Sequence, residues 1–292
     1  MKNKNLYDLK KRLVMAFVSI FTVLGLIIYS DYGIMPWFVC LVIMSLASIA
    51  LSEYSHFCRY QGIVLSKKNL MIFSSLYIFS SYFSTLYILP DITLTVISAA
   101  FIFVSFLSHF GSSVNAIKDV ACSIFAFFYI TVPLSFLLQI LFLKEEAAFI
   151  NYFDQDGRFW IVYLLLITKV TDAGAYFVGR LFGKRSLAIN ISPNKTWEGA
   201  VGGIVIAILT SILFSLWASY YADFYFEMNL LTSAILGLFL GVLGQLGDLA
   251  ESLLKRDADV KDSNKIPGLG GVLDMIDSLL FTAPVIYIFL RI

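Results

Sequence analysis

The sequence predicts an all-α, polytopic integral membrane protein with about nine transmembrane helices and a cytoplasmic N-terminus. Three observations carry that prediction. Of the 292 residues, 59% are hydrophobic and 14% charged, whereas soluble domains hold roughly 45–50% apolar and about 25% charged residues. The apolar excess falls in blocks, each close to the roughly 20 residues that a helix needs to cross hydrocarbon. The basic residues collect in alternate connections between those blocks, as the positive-inside rule requires.

In chain order the blocks cover residues 13–30, 34–51, 70–89, 92–110, 120–143, 159–179, 199–221, 230–247 and 272–290. Their length selects helices, because membrane-spanning strands would show alternating runs of about ten residues. Basic residues precede the first block as in a signal peptide. No small-x-small cleavage site stands out, so the block is expected to stay as an anchor. The stretch 70–110 is broken only at Pro90-Asp91, which fits two spans or one bent pair. With the N-terminus inside, seventeen lysines and arginines fall on the cytoplasmic side and three, Lys144, Arg158 and Arg291, on the other. Lys169 lies within a span.

Cysteine and histidine usage excludes several chemistries. Cys40 and Cys122 fall in spans and Cys58 in a cytoplasmic connection, at spacings that suit neither a disulfide framework nor a metal site. His56 and His109 lack a partner motif and read as structural.

The chain divides into two stretches of unequal interest. Residues 1–150 form apolar helices that pack and face lipid, and no chemistry is expected from them. Residues 151–292 carry the charges, with cytoplasmic loops at 180–198 and 248–271. In the sixth block, Lys169 and Asp172 stand one turn apart with Tyr176 on the same face. Ionisable groups are costly in a membrane helix and face a partner or a wet cavity. The pair reads either as a tie between helices or as part of a site. The next loop presents Gly179, Arg180, Gly183 and Lys184, then Ser192, Asn194, Lys195, Thr196 and Glu198 just before a helix start. Free N–H groups at a helix N-terminus beside a lysine suit a phosphate; lipid headgroups at a membrane-surface loop suit the same residues.

A third feature tips the balance toward a site. Asp248, Glu251 and Lys255 share one helical face, and Asp274 and Asp277 stand one turn apart at the start of the last block. Between them lies a Pro-Gly-x-Gly-Gly turn, residues 267–271, that folds the chain back. Carboxylates gathered in this way suit Mg²⁺, which takes oxygen ligands together with substrate phosphates. Lys255, Arg256 and Lys261 interleaved with them suit phosphate neutralisation.

These residues together resemble the CDP-diacylglycerol synthase, or phosphatidate cytidylyltransferase, family. The signature Ser-x-x-Lys-Arg, Lys-Asp-Ser, Pro-Gly-His-Gly-Gly-x-x-Asp-Arg-x-Asp is similar to Ser252, Lys255, Arg256, Lys261, Asp262, Ser263, Pro267, Gly268, Gly270, Gly271, Asp274 and Asp277 here. The stretches 171–184 and 191–199 resemble the family as well, so the likeness covers roughly residues 160–290. Leu269 stands where the family has His, and Met275 where it has Arg; both are expected to tune the site, since every carboxylate and the Lys-Arg pair remain.

The resemblance implies that CTP and phosphatidic acid give CDP-diacylglycerol and pyrophosphate at the cytoplasmic face of the cell membrane. It implies Mg²⁺ held by Asp248 and Asp274, with Asp277 completing the shell or orienting a bound water or a basic side chain; whether a monovalent cation joins it stays open. Lys255, Arg256 and Lys261, with Asp262 in the same motif, would serve catalysis. Asp172, Tyr176, Arg180, Lys184, Ser192, Asn194, Lys195, Thr196 and Glu198 would line the substrates. The partners expected are CTP, phosphatidic acid and the lipid bilayer, with no nucleic acid; oligomeric state, a homodimer included, stays open. A CTP-dependent polyprenol or dolichol kinase is the alternative enzyme. A transporter is the alternative of another class, but neither inverted repeats nor matched broken helices are present. The Asp-Gly-x-x-Ala-Arg motif of CDP-alcohol phosphotransferases is absent.

Overall fold

The computed structural model describes residues 18–110, 115–143, 156–221, 226, 228–260 and 271–291. Among them are the helices α1 (Val18–Ile28), α2 (Met35–Tyr60), α3 (Lys67–Thr85), α4 (Ile92–Leu107), α5 (Ala116–Leu141), α6 (Gly157–Phe182), α7 (Trp197–Tyr221), α8 (Leu230–Asp257) and α9 (Val272–Phe289). Each falls on one of the apolar blocks. Six of them, α2 and α5 to α9, are long and apolar enough to cross a membrane. The chain is therefore a polytopic, nearly all-helical membrane protein. The remaining three are shorter or more polar: α1 and α4 are short apolar helices, and α3 carries serines and tyrosines along its 19 residues.

Two helices run further than the apolar blocks suggested. α2 continues to Tyr60, so Cys58 lies buried on a helix and not in a connecting loop. α8 continues to Asp257, so Asp248–Asp257 is helix and not loop. Polar residues at the end of a span read as its boundary, yet the backbone keeps its ladder wherever neighbouring helices satisfy those side chains. The stretch 70–110 resolves into two helices. Pro90 disfavours helical geometry in the residue before it, Tyr87 takes a left-handed conformation, and the Ser84 hydroxyl donates to the Asp91 carboxylate across the turn. One turn of α5, Phe127–Thr131, widens to π geometry just ahead of Pro133.

A single buried apolar cluster runs from Ile27 to Leu290 and draws on every helix of the described chain. Its aromatic centre joins Trp160 and Tyr163 of α6 to Phe214 of α7 and Phe226, with the Trp160 and Phe226 rings 4.4 Å apart. Large apolar side chains such as Leu41, Phe103 and Leu213 are more than half exposed, as expected of helices solvated by lipid.

α6, α7, α8 and α9 pack on one another through small residues. Without a hydrophobic drive between helices in lipid, close backbone approach supplies much of the attraction. The only strands among the described residues are β1 (Ser186–Ala188) and β2 (Ser192–Thr196), a short antiparallel hairpin pairing Ser186 with Thr196 and Ala188 with Ser192. It stands between α6 and α7 where an all-α reading expected a plain loop.

Candidate active site

The charged residues of the second stretch converge at one end of the bundle. α8 and α9 run antiparallel there, and Gly247 sets their spacing. A Cβ on Gly247 would stand 2.5 Å from the Asp277 carbonyl oxygen and 3.1 Å from the Ser278 Cα. Only glycine lets the two backbones come this close. The contact brings the Asp248 and Asp277 turns of the two helices together, and nearer the end Lys255 meets Asp274 and Glu251.

Two charged layers result. In the outer one the Lys255 ammonium sits between Glu251, 2.7 Å away, and Asp274, with which it makes a short ion pair. Lys255 and Glu251 are nearly or fully buried, at 12% and 1% exposure. Breaking a buried pair by removing one partner costs about 3–5 kcal/mol, because the other charge is stranded. Oε2 of Glu251 takes the ammonium, while Oε1 is buried without a hydrogen-bond partner among the described residues.

In the deeper layer Asp248 pairs with Lys195 of β2 at 2.5 Å. Asp277 is buried, and its Oδ1 accepts from the Ser278 N–H and hydroxyl. No lysine or arginine among the described residues comes within ion-pair distance of Asp277. Asp277 feels the charges of Asp248 and Asp172 instead, and Asp172 those of Lys169, Asp248 and Lys195. Lys169 and Asp172 stand 4.0 Å apart on α6, both partly exposed. Carboxylates from three helices thus share one polar region in which acids outnumber lysines.

The hairpin end is fastened by its own residues. Thr196 accepts the Gly199 N–H at 3.1 Å as a cap on α7. Glu198 accepts the backbone N–H groups of Lys184 and Arg185 at 3.0 and 3.3 Å, which pins the loop before β1. Both side chains are therefore engaged with the backbone, and the Gly199 N–H is not left for a phosphate. The Arg256 Nε donates to the Ile191 carbonyl at 3.0 Å, tying α8 to the hairpin turn. Arg180 bonds the Tyr176 hydroxyl at 3.1 Å, and both are exposed. Lys184 and Asn194 are exposed and Ser192 is half-buried. Lys261 and Asp262, with residues 263–270 of the glycine turn, lie outside the described residues.

A sequence model of the Cytidylyltransferase family matches residues 10–292. The chain belongs to that family. It is 46% identical over 142 residues to a phosphatidate cytidylyltransferase of Bacillus subtilis, covering 48% of this chain and 51% of that protein. It is 35% identical over 178 residues to the phosphatidate cytidylyltransferase of Chlamydia muridarum, covering 60% and 56%. It is 37% identical over 161 residues to that of Haemophilus influenzae, covering 51% and 55%. The chain thus spans little more than half the length of these curated relatives.

One participant lies where no chemistry was expected. Glu53, in the apolar first stretch, is 1% exposed and accepts the backbone N–H groups of Val272 and Leu273, the first two residues of α9, at 3.0 and 2.8 Å. The signal that flagged Lys169 and Asp172, an ionisable residue in a span, missed Glu53 because the apolar block ends at residue 51 and only the fold carries the helix on to Tyr60.

Proposed function

We propose that this cytidylyltransferase moves a cytidylyl group from CTP to phosphatidic acid, giving CDP-diacylglycerol and pyrophosphate at the cytoplasmic face of the membrane. The observation that carries the reading is the two-layer charged site at the end of an apolar bundle, where Asp172, Asp248 and Asp277 gather with Lys195, and Glu251 and Asp274 with Lys255. The names of the curated relatives point the same way.

In this reading a phosphatidate oxygen attacks the α-phosphorus of CTP as the bond to the β-phosphate oxygen breaks and pyrophosphate leaves. The nucleophile is already an anion near neutral pH, so no general base is required. What the site must supply is positioning and neutralisation of two polyanions. Lys195 and Lys255 hold ammonium groups at the two layers, and Arg256 stands beside them on the hairpin side. The acyl chains would lie along the exposed apolar faces of α6 and α7, at Phe177, Leu181 and Val201, while the headgroup reaches the lysines.

The donor chemistry fits Mg²⁺. No group of three or more His, Cys, Asp and Glu stands close enough to hold a metal among the described residues, but Mg²⁺ is usually held by one or two carboxylates plus substrate phosphates. Asp248 and Asp277, with Asp172 and the unpartnered Glu251 oxygen, are among the oxygen donors available. Bound there, Mg²⁺ would neutralise charge on the triphosphate. Asp274, expected from the sequence to share a metal with Asp248, forms an ion pair with Lys255 and, being partly exposed, stays among the candidate donors.

The test is a product assay of purified protein with labelled CTP, phosphatidic acid and Mg²⁺. CDP-diacylglycerol and pyrophosphate in equal amounts are expected. CDP with a newly phosphorylated lipid would identify a lipid kinase instead, and unchanged CTP would reject both.

The same reading requires residues 180–198 and 248–271 to face the cytoplasm and 144–158 the outside. The charge split of the sequence supports it, as does the way contacts sort by end. Arg158 pairs with Asp156 and Asp31 far from the site, whereas Arg256, Lys195 and Lys255 gather at it. Single cysteines in each loop, on a background lacking Cys40, Cys58 and Cys122, should be labelled by an impermeant reagent from the outside only within 144–158. Labelling of 248–271 from that side would reject the orientation.

A further inference from the structure

We propose that Glu53 of α2 is a positioning residue for the reactive end of α9. Its catalytic consequence rests on the cytidylyl-transfer reading above; its structural part does not. The first N–H groups of a helix have no partner within the helix, and the residue before α9 is Gly271, whose missing side chain cannot cap them. Glu53 meets two of them from another helix. One of its oxygens accepts from Val272 at 3.0 Å and the other from Leu273 at 2.8 Å. Two bonds to successive residues fix both the rotation of α9 about its axis and its height against α2.

The next residue along is Asp274, which meets Lys255, and one turn further is Asp277, which feels the charge of Asp248. A change in rotation or height at Val272 is therefore carried directly into both carboxylates. α2 also reaches the other helix. Eight residues past Glu53, the Gln61 side chain donates to the Asp257 carbonyl at the end of α8. α2 thus grips the end of α8 and the start of α9, the two helices whose carboxylates make the site. Glu53 also decides what the start of α9 is not. A glycine-rich turn leading into a helix suits a phosphate, but two of the N–H groups are already taken by a buried side chain. The phosphates are left to the lysines and arginine.

The test compares wild type with Glu53→Ala and with Glu53→Gln, which keeps the shape but replaces one acceptor oxygen by a donor that opposes an N–H. Hydrogen exchange of the segment 271–280 reads the contact itself. In Glu53→Ala it should speed about tenfold or more at the start of α9, with the rest of the bundle still protected. Turnover should fall about tenfold or more while KM for CTP moves less than about threefold, the pattern of lost transition-state alignment. Glu53→Gln should lie between the two and covers the case in which the alanine variant fails to fold. Unchanged protection of 271–280 would overturn the proposal, and so would lost protection with wild-type turnover. A wild-type protein without cytidylyl transfer would instead sink the functional reading, and the exchange result would still decide whether Glu53 holds α9.

Discussion

Asp248→Ala and Asp277→Ala should each lose about a thousandfold or more of cytidylyl transfer, about 4 kcal/mol of transition-state stabilisation, while still inserting and folding. The two residues lie on the turns of α8 and α9 that meet at Gly247, and the charge of Asp248 acts on Asp277. In the proposed reading both serve one cation. Removing either takes away one of the cation's proposed oxygen donors, so the triphosphate loses its alignment and turnover suffers more than binding. The double variant should be little worse than either single, because groups that act as a unit are not additive. Mn²⁺ binding, followed by electron paramagnetic resonance in the absence of lipid substrate, gives a readout independent of activity and should weaken in both singles. Lys118→Ala, exposed and outside the charged site, should match wild type in both assays. Near-normal turnover of either aspartate variant at limiting Mg²⁺ would reject the pair as the cation's holders.

Gly247→Ala should cost about a hundredfold in turnover, since a displacement of about 1 Å at a reacting centre can have that effect. The new methyl would stand 2.5 Å from the carbonyl oxygen of Asp277. That atom belongs to helix backbone and cannot turn aside, so α8 and α9 must separate and carry Asp248 and Asp277 apart. Gly244, one turn earlier on α8, is the matched control. A Cβ there would meet Thr282 Cγ2 at 3.8 Å and Ser278 Cβ at 3.9 Å, ordinary contact distances. Gly244→Ala should therefore keep turnover within about twofold of wild type, as expected where no atom is overpacked. Equal effects from the two substitutions would mean that helix spacing at Gly247 does not set the geometry of the site.

Much of the second stretch was legible from residue order because its partners are close in sequence. Asp248, Glu251 and Lys255 share a face by helical periodicity alone, and Lys255 does pair with Glu251. Lys169 and Asp172 likewise sit one turn apart, at 4.0 Å. Pairings across helices were less accessible. The expectation that Asp248 and Asp274 share a cation concerns a loaded site and stands as a proposal; what the fold adds is that Lys255 of α8 pairs with Asp274 and Lys195 of β2 with Asp248. Thr196 and Glu198 carried a binding pattern in the sequence, and the fold engages both with backbone N–H groups.

By itself, then, the sequence determined that the chain crosses the membrane in helices, which end carries its charges, and that those charges suit phosphate and a hard cation. Hydrocarbon thickness, helical period and side-chain chemistry are local properties, and each can be read from consecutive residues. Only the tertiary structure decided which charges meet. That choice depends on how closely two backbones approach at a glycine and on a carboxyl group reaching 219 positions along the chain, from Glu53 to Val272. Both are set by packing between helices, a property that no single helix carries.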